Sequence, residues 1–171
     1  MAEEGNARKG DMGSDELKQC IMDIQGWFSR HGGDVDARAT TADFQRLSKG
    51  VDAPIPDSLE LMLGEANGGF WFMDKKGMSV EGIVEAAVAC EGSGKWRSGL
   101  VPFAGDEGGM LVIDTKTNEV MEWDEDDGVG DSVAKSFEDY LETFRNTIMA
   151  GKCEFDNDIG VIEGVSGGSR K

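Results

Sequence analysis

The chain has a single histidine, His31, and that scarcity removes whole classes of chemistry. A multi-histidine metal site is excluded by count, and a Ser-His-Asp triad would have His31 alone to draw on. His31 precedes Gly32-Gly33, so its expected place is a helix end, where a cationic ring meets the negative pole of the dipole. Cysteine is nearly as scarce. Cys20, Cys90 and Cys153 are far apart and form no CxxC. An odd, scattered set suits a reducing compartment, so the expected setting is cytoplasmic. Cys20 and Cys90 are expected to be small buried hydrophobes. Basic residues are few as well: 17 Lys+Arg stand against 34 Asp+Glu, for a formal net charge of −17. Phosphate contacts need clustered Lys and Arg, so neither nucleic acid nor an anionic membrane is an expected partner. No apolar run approaches membrane-spanning length. Met1 to Gly10 is polar and holds no signal-peptide core, Ala2 stands where myristoylation needs glycine, and the Ser-Arg-Lys end is no lipidation box. The acidity favours a basic partner reached by electrostatic steering, although it also serves solubility alone.

What is present reads as one domain of ordinary size in 171 residues. Residues 1–14 are polar and expected to be disordered, 15–150 form the domain, and 151–171 lose periodicity and read as a flexible or partner-docked tail. Leu17, Cys20, Ile21, Ile24 and Phe28 make an apolar stripe at helical spacing, with Ser14 or Asp15 as the cap. Thr40 and Asp43 form a capping box for a short helix carrying Phe44 and Leu47, as Ser136 and Asp139 do for the last helix. Val80, Ile83, Val84, Ala87 and Val88 make a further helical face. Strands are expected at 70–74, turning at Lys75-Lys76-Gly77, and near 100–104, 110–114 and 119–123. Helices, then strands, then a helix predict an α+β fold: an antiparallel sheet of about four to six strands with helices on one face.

The most informative stretch is Ile55 to Gly69. Pro56 suits a first helical turn, Leu59, Met62, Leu63 and Ala66 share one face, and Asn67-Gly68-Gly69 accept the positive φ that ends many helices. An aromatic strand, Phe70-Trp71-Phe72, follows. Downstream come Leu100 to Phe103 with the turn Ala104-Gly105-Asp106-Glu107-Gly108-Gly109, the strand Met110 to Asp114, the strand Glu119 to Trp123 closing on Asp124-Glu125-Asp126, and Ala134-Lys135-Ser136-Phe137 leading to Tyr140-Leu141. These four motifs in series, from about Thr40 to Met149, resemble the SUKH superfamily, which includes the yeast cell-wall synthesis regulator family and bacterial toxin-immunity proteins. The family often carries a glutamate in the preceding helix; here that region reads Phe44-Gln45-Arg46-Leu47, so a role tied to that glutamate does not carry over. The resemblance implies an α+β fold and protein binding, as an immunity protein or as a recruiting module in a eukaryotic complex.

Other chemistries fail on the residues. Gly92-Ser93-Gly94-Lys95 lacks the first glycine of a phosphate loop, since position 89 is alanine, and Trp96 replaces the needed Ser or Thr. Around Asp124-Glu125-Asp126-Asp127-Gly128 an EF-type loop would put Trp123 and Ala134 at liganding positions, where neither can serve. No metal or cofactor site is expected. Asp106 and Glu107 could pair for acid–base work only in a pocket that shifts one of them; otherwise they cap a glycine-rich turn. Trp71 and Trp123, beside acidic turns, suit a basic protein surface, with core packing as the plain alternative for each. The reading is therefore a non-catalytic protein-binding module in a larger intracellular assembly. Its candidate contacts are Trp71, Asp106, Glu107, Trp123, Asp124, Glu125 and Asp126, with Phe155, Ile159, Val161 and Ile162 docking the tail on a partner. The alternatives are a toxin-neutralising immunity protein, a carboxylate-based or metal-dependent enzyme using the two acidic turns, and a small-ligand or calcium-sensing module.

Overall fold

The computed structural model describes residues 13–33, 37–106 and 108–163. The expected disordered segment lies, but for its last two residues, outside them, as do Glu107 and the glycine-rich end from Gly164. Among the described residues there are five α-helices: α1 Ser14–Arg30, α2 Thr41–Gly50, α3 Asp57–Glu65, α4 Val80–Glu91 and α5 Phe137–Met149. The eight strands are β1 Trp71–Phe72, β2 Lys75–Gly77, β3 Leu100–Asp106, β4 Gly109–Asp114, β5 Val120–Asp124, β6 Gly128–Ala134, β7 Cys153–Asp156 and β8 Gly160–Glu163. Strands β1 to β6 form one antiparallel meander in chain order, and β7 and β8 form a separate hairpin. The α+β fold with helices against an antiparallel sheet is thus as the sequence predicts.

Helix boundaries follow local chemistry. Thr40 Oγ1 accepts from Asp43 N at 3.1 Å and Asp43 returns the bond to Thr40 N at 2.9 Å, a complete capping box. Ser136 Oγ accepts from Asp139 N at 3.0 Å to start α5. Helix α1 starts one residue before the expected caps, on Gly13, whose N–H donates to Glu16 Oε1. After α3, Gly68 and Gly69 take φ of +96° and +98°, and Asn67 Oδ1 accepts the N–H of Val80 at 2.8 Å. The segment that ends one helix therefore also caps the next helix, α4.

The sheet alternates by face. Leu111, Ile113 and Val120 join the main core with α1, α3 and α5, where Leu59, Leu63, Phe137, Leu141 and Phe144 are buried. The register pairs Met110 with Trp123 and Val112 with Met121 on the opposite face. There Cys90, Leu100, Val112 and Trp123 form a second, smaller buried cluster under Trp96. Residues 92–99 lie across this cluster. They are pinned by Lys95 Nζ donating to the Asp126 carbonyl at 2.6 Å and by Arg97 Nη2 donating to Asp114 Oδ2 at 2.6 Å.

Three expectations are corrected. The turn expected at Lys75-Lys76-Gly77 is strand β2, and the reversal sits at Met73-Asp74, with Met73 at φ 59°. Pairing of Lys76 with Gly105 decides this, a long-range contact that local sequence does not display. Val88, expected on the buried face of α4, is 58% exposed, and Cys90 takes the inward position. The segment after Gly151 is a hairpin seated on the domain's own core. Cys153 and Val161 are buried in it, Phe155 packs edge-on against Phe28 at 5.2 Å, and Val161 N donates to Met73 O at 2.9 Å. Ile162 is half-buried and Ile159, at the hairpin turn, is 54% exposed. The packed unit therefore runs to Glu163, past the expected boundary at 150.

Candidate functional site

Two hairpin turns at one end of the meander bring the acidic residues together. The β3–β4 turn carries Asp106, and the β5–β6 turn carries Asp124, Glu125 and Asp126. Gly109 eases the approach: a Cβ there would stand 3.0 Å from the Trp123 carbonyl oxygen, tighter than most side chains approach a neighbour. Between the turns and the last two turns of α4 lies an open concavity of about 530 Å3. It is lined by the exposed or half-buried Asp106, Asp124, Glu125 and Asp126 and, on its apolar side, by Ala86, Ala89, Cys90, Met110 and Trp123, of which Cys90 and Trp123 are buried.

The carboxylates differ in what they already hold. Asp106 Oδ1 accepts from Gly108 N at 2.8 Å and Gly109 N at 3.1 Å, while Oδ2 meets Lys75 Nζ at 3.3 Å. Asp124 Oδ1 accepts from Asp126 N at 2.9 Å and Asp127 N at 2.7 Å. These two aspartates hold their turns in shape, as Asp side chains commonly do. Glu125 and Asp126 are exposed, and among the described residues neither carboxylate has a hydrogen-bond or ion-pair partner. Among the described residues no three His, Cys, Asp or Glu side chains stand together in a way that could hold a metal ion. Burial pushes the Cys90 thiol upward and the nearby Glu125 charge adds to this, so it is a poor nucleophile.

Trp123 is 4% exposed and touches Trp96 in an edge-on pair at 5.4 Å. It is a wall of the concavity and a member of the second core, so it offers no free face as an exposed hot spot would. Its indole N–H is buried without an acceptor, the only such side-chain atom among the described residues. Trp71 is not part of this concavity. It is half-buried, with Lys76 Nζ 5.9 Å from its ring centre and Gly160 packed against its ring. His31 ends α1 as expected, stacked on Trp27 at 4.0 Å with Nδ1 2.8 Å from the Trp27 carbonyl oxygen.

The structure therefore gathers Asp106, Trp123, Asp124, Glu125 and Asp126 at one place. It puts Trp71 elsewhere and the four tail residues in the hairpin. Sequence reading missed the α4 wall. The run Ala86-Ala87-Val88-Ala89-Cys90 holds small side chains on two sides of the helix, and that smallness was the available signal for a face lining open space.

A helix-backed antiparallel meander with a surface concavity between two hairpin turns is a small α+β domain. The chain belongs to the SMI1 / KNR4 family (SUKH-1), whose description matches residues 38–143. This membership supports a protein-interaction or immunity-type module in general. Comparison with curated proteins gives no match. Helix α1 and the β7–β8 hairpin fall outside the matched span and pack on each other through Trp27, Phe28 and Phe155.

Proposed function

We propose that this chain is a non-catalytic protein-binding module, a component of a larger assembly in a reducing, cytoplasmic setting, and that its partner presents a basic surface. The observation that carries this reading is the convergence of Asp106, Asp124, Glu125 and Asp126 around one concavity with an apolar floor. In a chain of net charge −17, such a rim steers a basic partner, and the floor supplies the dry contact that charge alone does not. An enzyme reading asks the same carboxylates to move protons. Asp106 and Asp124 are instead engaged with backbone N–H groups, which favours a turn-shaping role.

The test is affinity purification from the native source with mass spectrometry, at low and moderate salt, using the wild type and a Glu125→Gln/Asp126→Asn variant. The expected result is a partner recovered by the wild type at low salt and depleted both by salt and by the variant. A partner recovered equally under all four conditions removes the basic-surface reading. A toxin among the depleted partners identifies the immunity role instead of the assembly role.

A further inference from the structure

We propose that the concavity recognises a short peptide segment in which one lysine or arginine is flanked by an apolar side chain. The basic head is taken by Glu125 and Asp126, and the apolar neighbour lies on Met110 and the Ala86–Ala89 wall. This rests on the protein-binding reading and names what that surface selects.

Three observations converge. Glu125 and Asp126, whose carboxylates have no partner among the described residues, line the concavity, while Asp106 and Asp124 are occupied in holding the turns that present them. A charge-assisted bond to an ionised head is about twice as strong as a neutral one, so the unengaged pair is the anchor. The floor is apolar, and a fully hydrated cation leaves it uncovered, whereas a side chain next to the basic residue covers it. The volume, about 530 Å3, lies within the range of roughly 300–1,000 Å3 typical of specific ligand sites and exceeds one side chain. A simple acidic turn accounts for the first observation and not for the other two.

The experiment is a titration followed by 1H–15N NMR of the full chain, with acetyl-Leu-Arg-Leu-amide as probe. Its citrulline analogue removes the charge, and acetyl-Gly-Arg-Gly-amide removes the apolar flanks. The expected result is saturable binding, with shifts centred on the Met110 and Glu125 amides and the Trp123 indole. Each analogue should bind at least about tenfold more weakly, the loss expected for one charge-assisted contact or one buried side chain. Glu125→Gln/Asp126→Asn should weaken the arginine peptide by the same factor. Asp131→Asn/Asp158→Asn, which removes equal charge from exposed positions elsewhere, should change it less than about twofold. Non-saturating shifts spread over the acidic surface, or equal binding of the leucine and glycine peptides, overturn the inference. If the peptides fail while the purified partner remains sensitive to salt and to the variant, the segment is wrong and the module stands. If both fail, the module reading falls with it.

Discussion

Gly160 shows at the scale of one residue how the end of the chain is attached. Its φ is +107°, and a Cβ there would overlap the Met73 carbonyl oxygen and stand 2.6 Å from Trp71 Cε3. No side chain fits, because the next residue, Val161, needs that same carbonyl for its N–H. Gly160→Ala should destabilise the domain by about 1–3 kcal/mol, the cost of a strained backbone state, and should free β7–β8 first. A thermal melt with amide exchange over 153–163 checks this: the melt should fall and hairpin protection should be lost ahead of the core. Trp123 is the contrasting residue. Its position beside acidic side chains suggested a binding surface, and its pairing with Met110 puts it in a second core that forms one wall of that surface.

At the scale of elements, the segment 92–99 is held at one end by Asp114. Burial alone would raise that carboxyl, but the Arg97 guanidinium and the N–H groups of Lys116 and Thr117 outweigh burial and hold it below the usual aspartate range. A carboxyl whose folded pKa is depressed contributes stability above its unfolded pKa and loses it as pH falls through the folded value. Wild-type stability should therefore drop as pH goes below about 4, the ordinary aspartate range, and Asp114→Asn should flatten that part of the curve. Urea midpoints from pH 6 downward, in about half-unit steps, measure it. Helix α5 makes the complementary case: Leu141 is fully buried between α1, α3 and the sheet, so Leu141→Ala should cost about 2–5 kcal/mol in a denaturant titration.

The same scale explains what could be read from the sequence. Helix α3 and its Asn67-Gly68-Gly69 stop were legible because cap, face and terminator are all local. Strand β6 was not: Gly128-Val129-Gly130-Asp131-Ser132 has no inward alternation, since its residues are mostly exposed at the sheet edge. The β7–β8 hairpin escaped because its apolar residues are few and pack against Trp27, Phe28 and Met73, more than 80 residues away in sequence. Each acidic turn could be seen singly. Their meeting depends on the meander register and on Gly109 approaching Trp123, neither of which is a local property.

For the whole molecule, the proposed function requires that, in a chain of net charge −17, the carboxylates at the concavity do the steering. Charge spread evenly would aid solubility with no preferred face. Charge at a recognition site makes the encounter rate depend on salt while short-range contacts set dissociation. The most direct measurement is the association rate of the purified chain with its isolated partner, by stopped flow, as ionic strength rises from about 0.01 M to about 0.15 M. The screening length shortens over that range from about 30 Å to about 8 Å. We predict that association slows by at least about tenfold, that dissociation changes far less, and that Glu125→Gln/Asp126→Asn slows low-salt association toward the high-salt rate. An association rate that stays flat across this range in the wild type would rule out electrostatic steering of a basic partner.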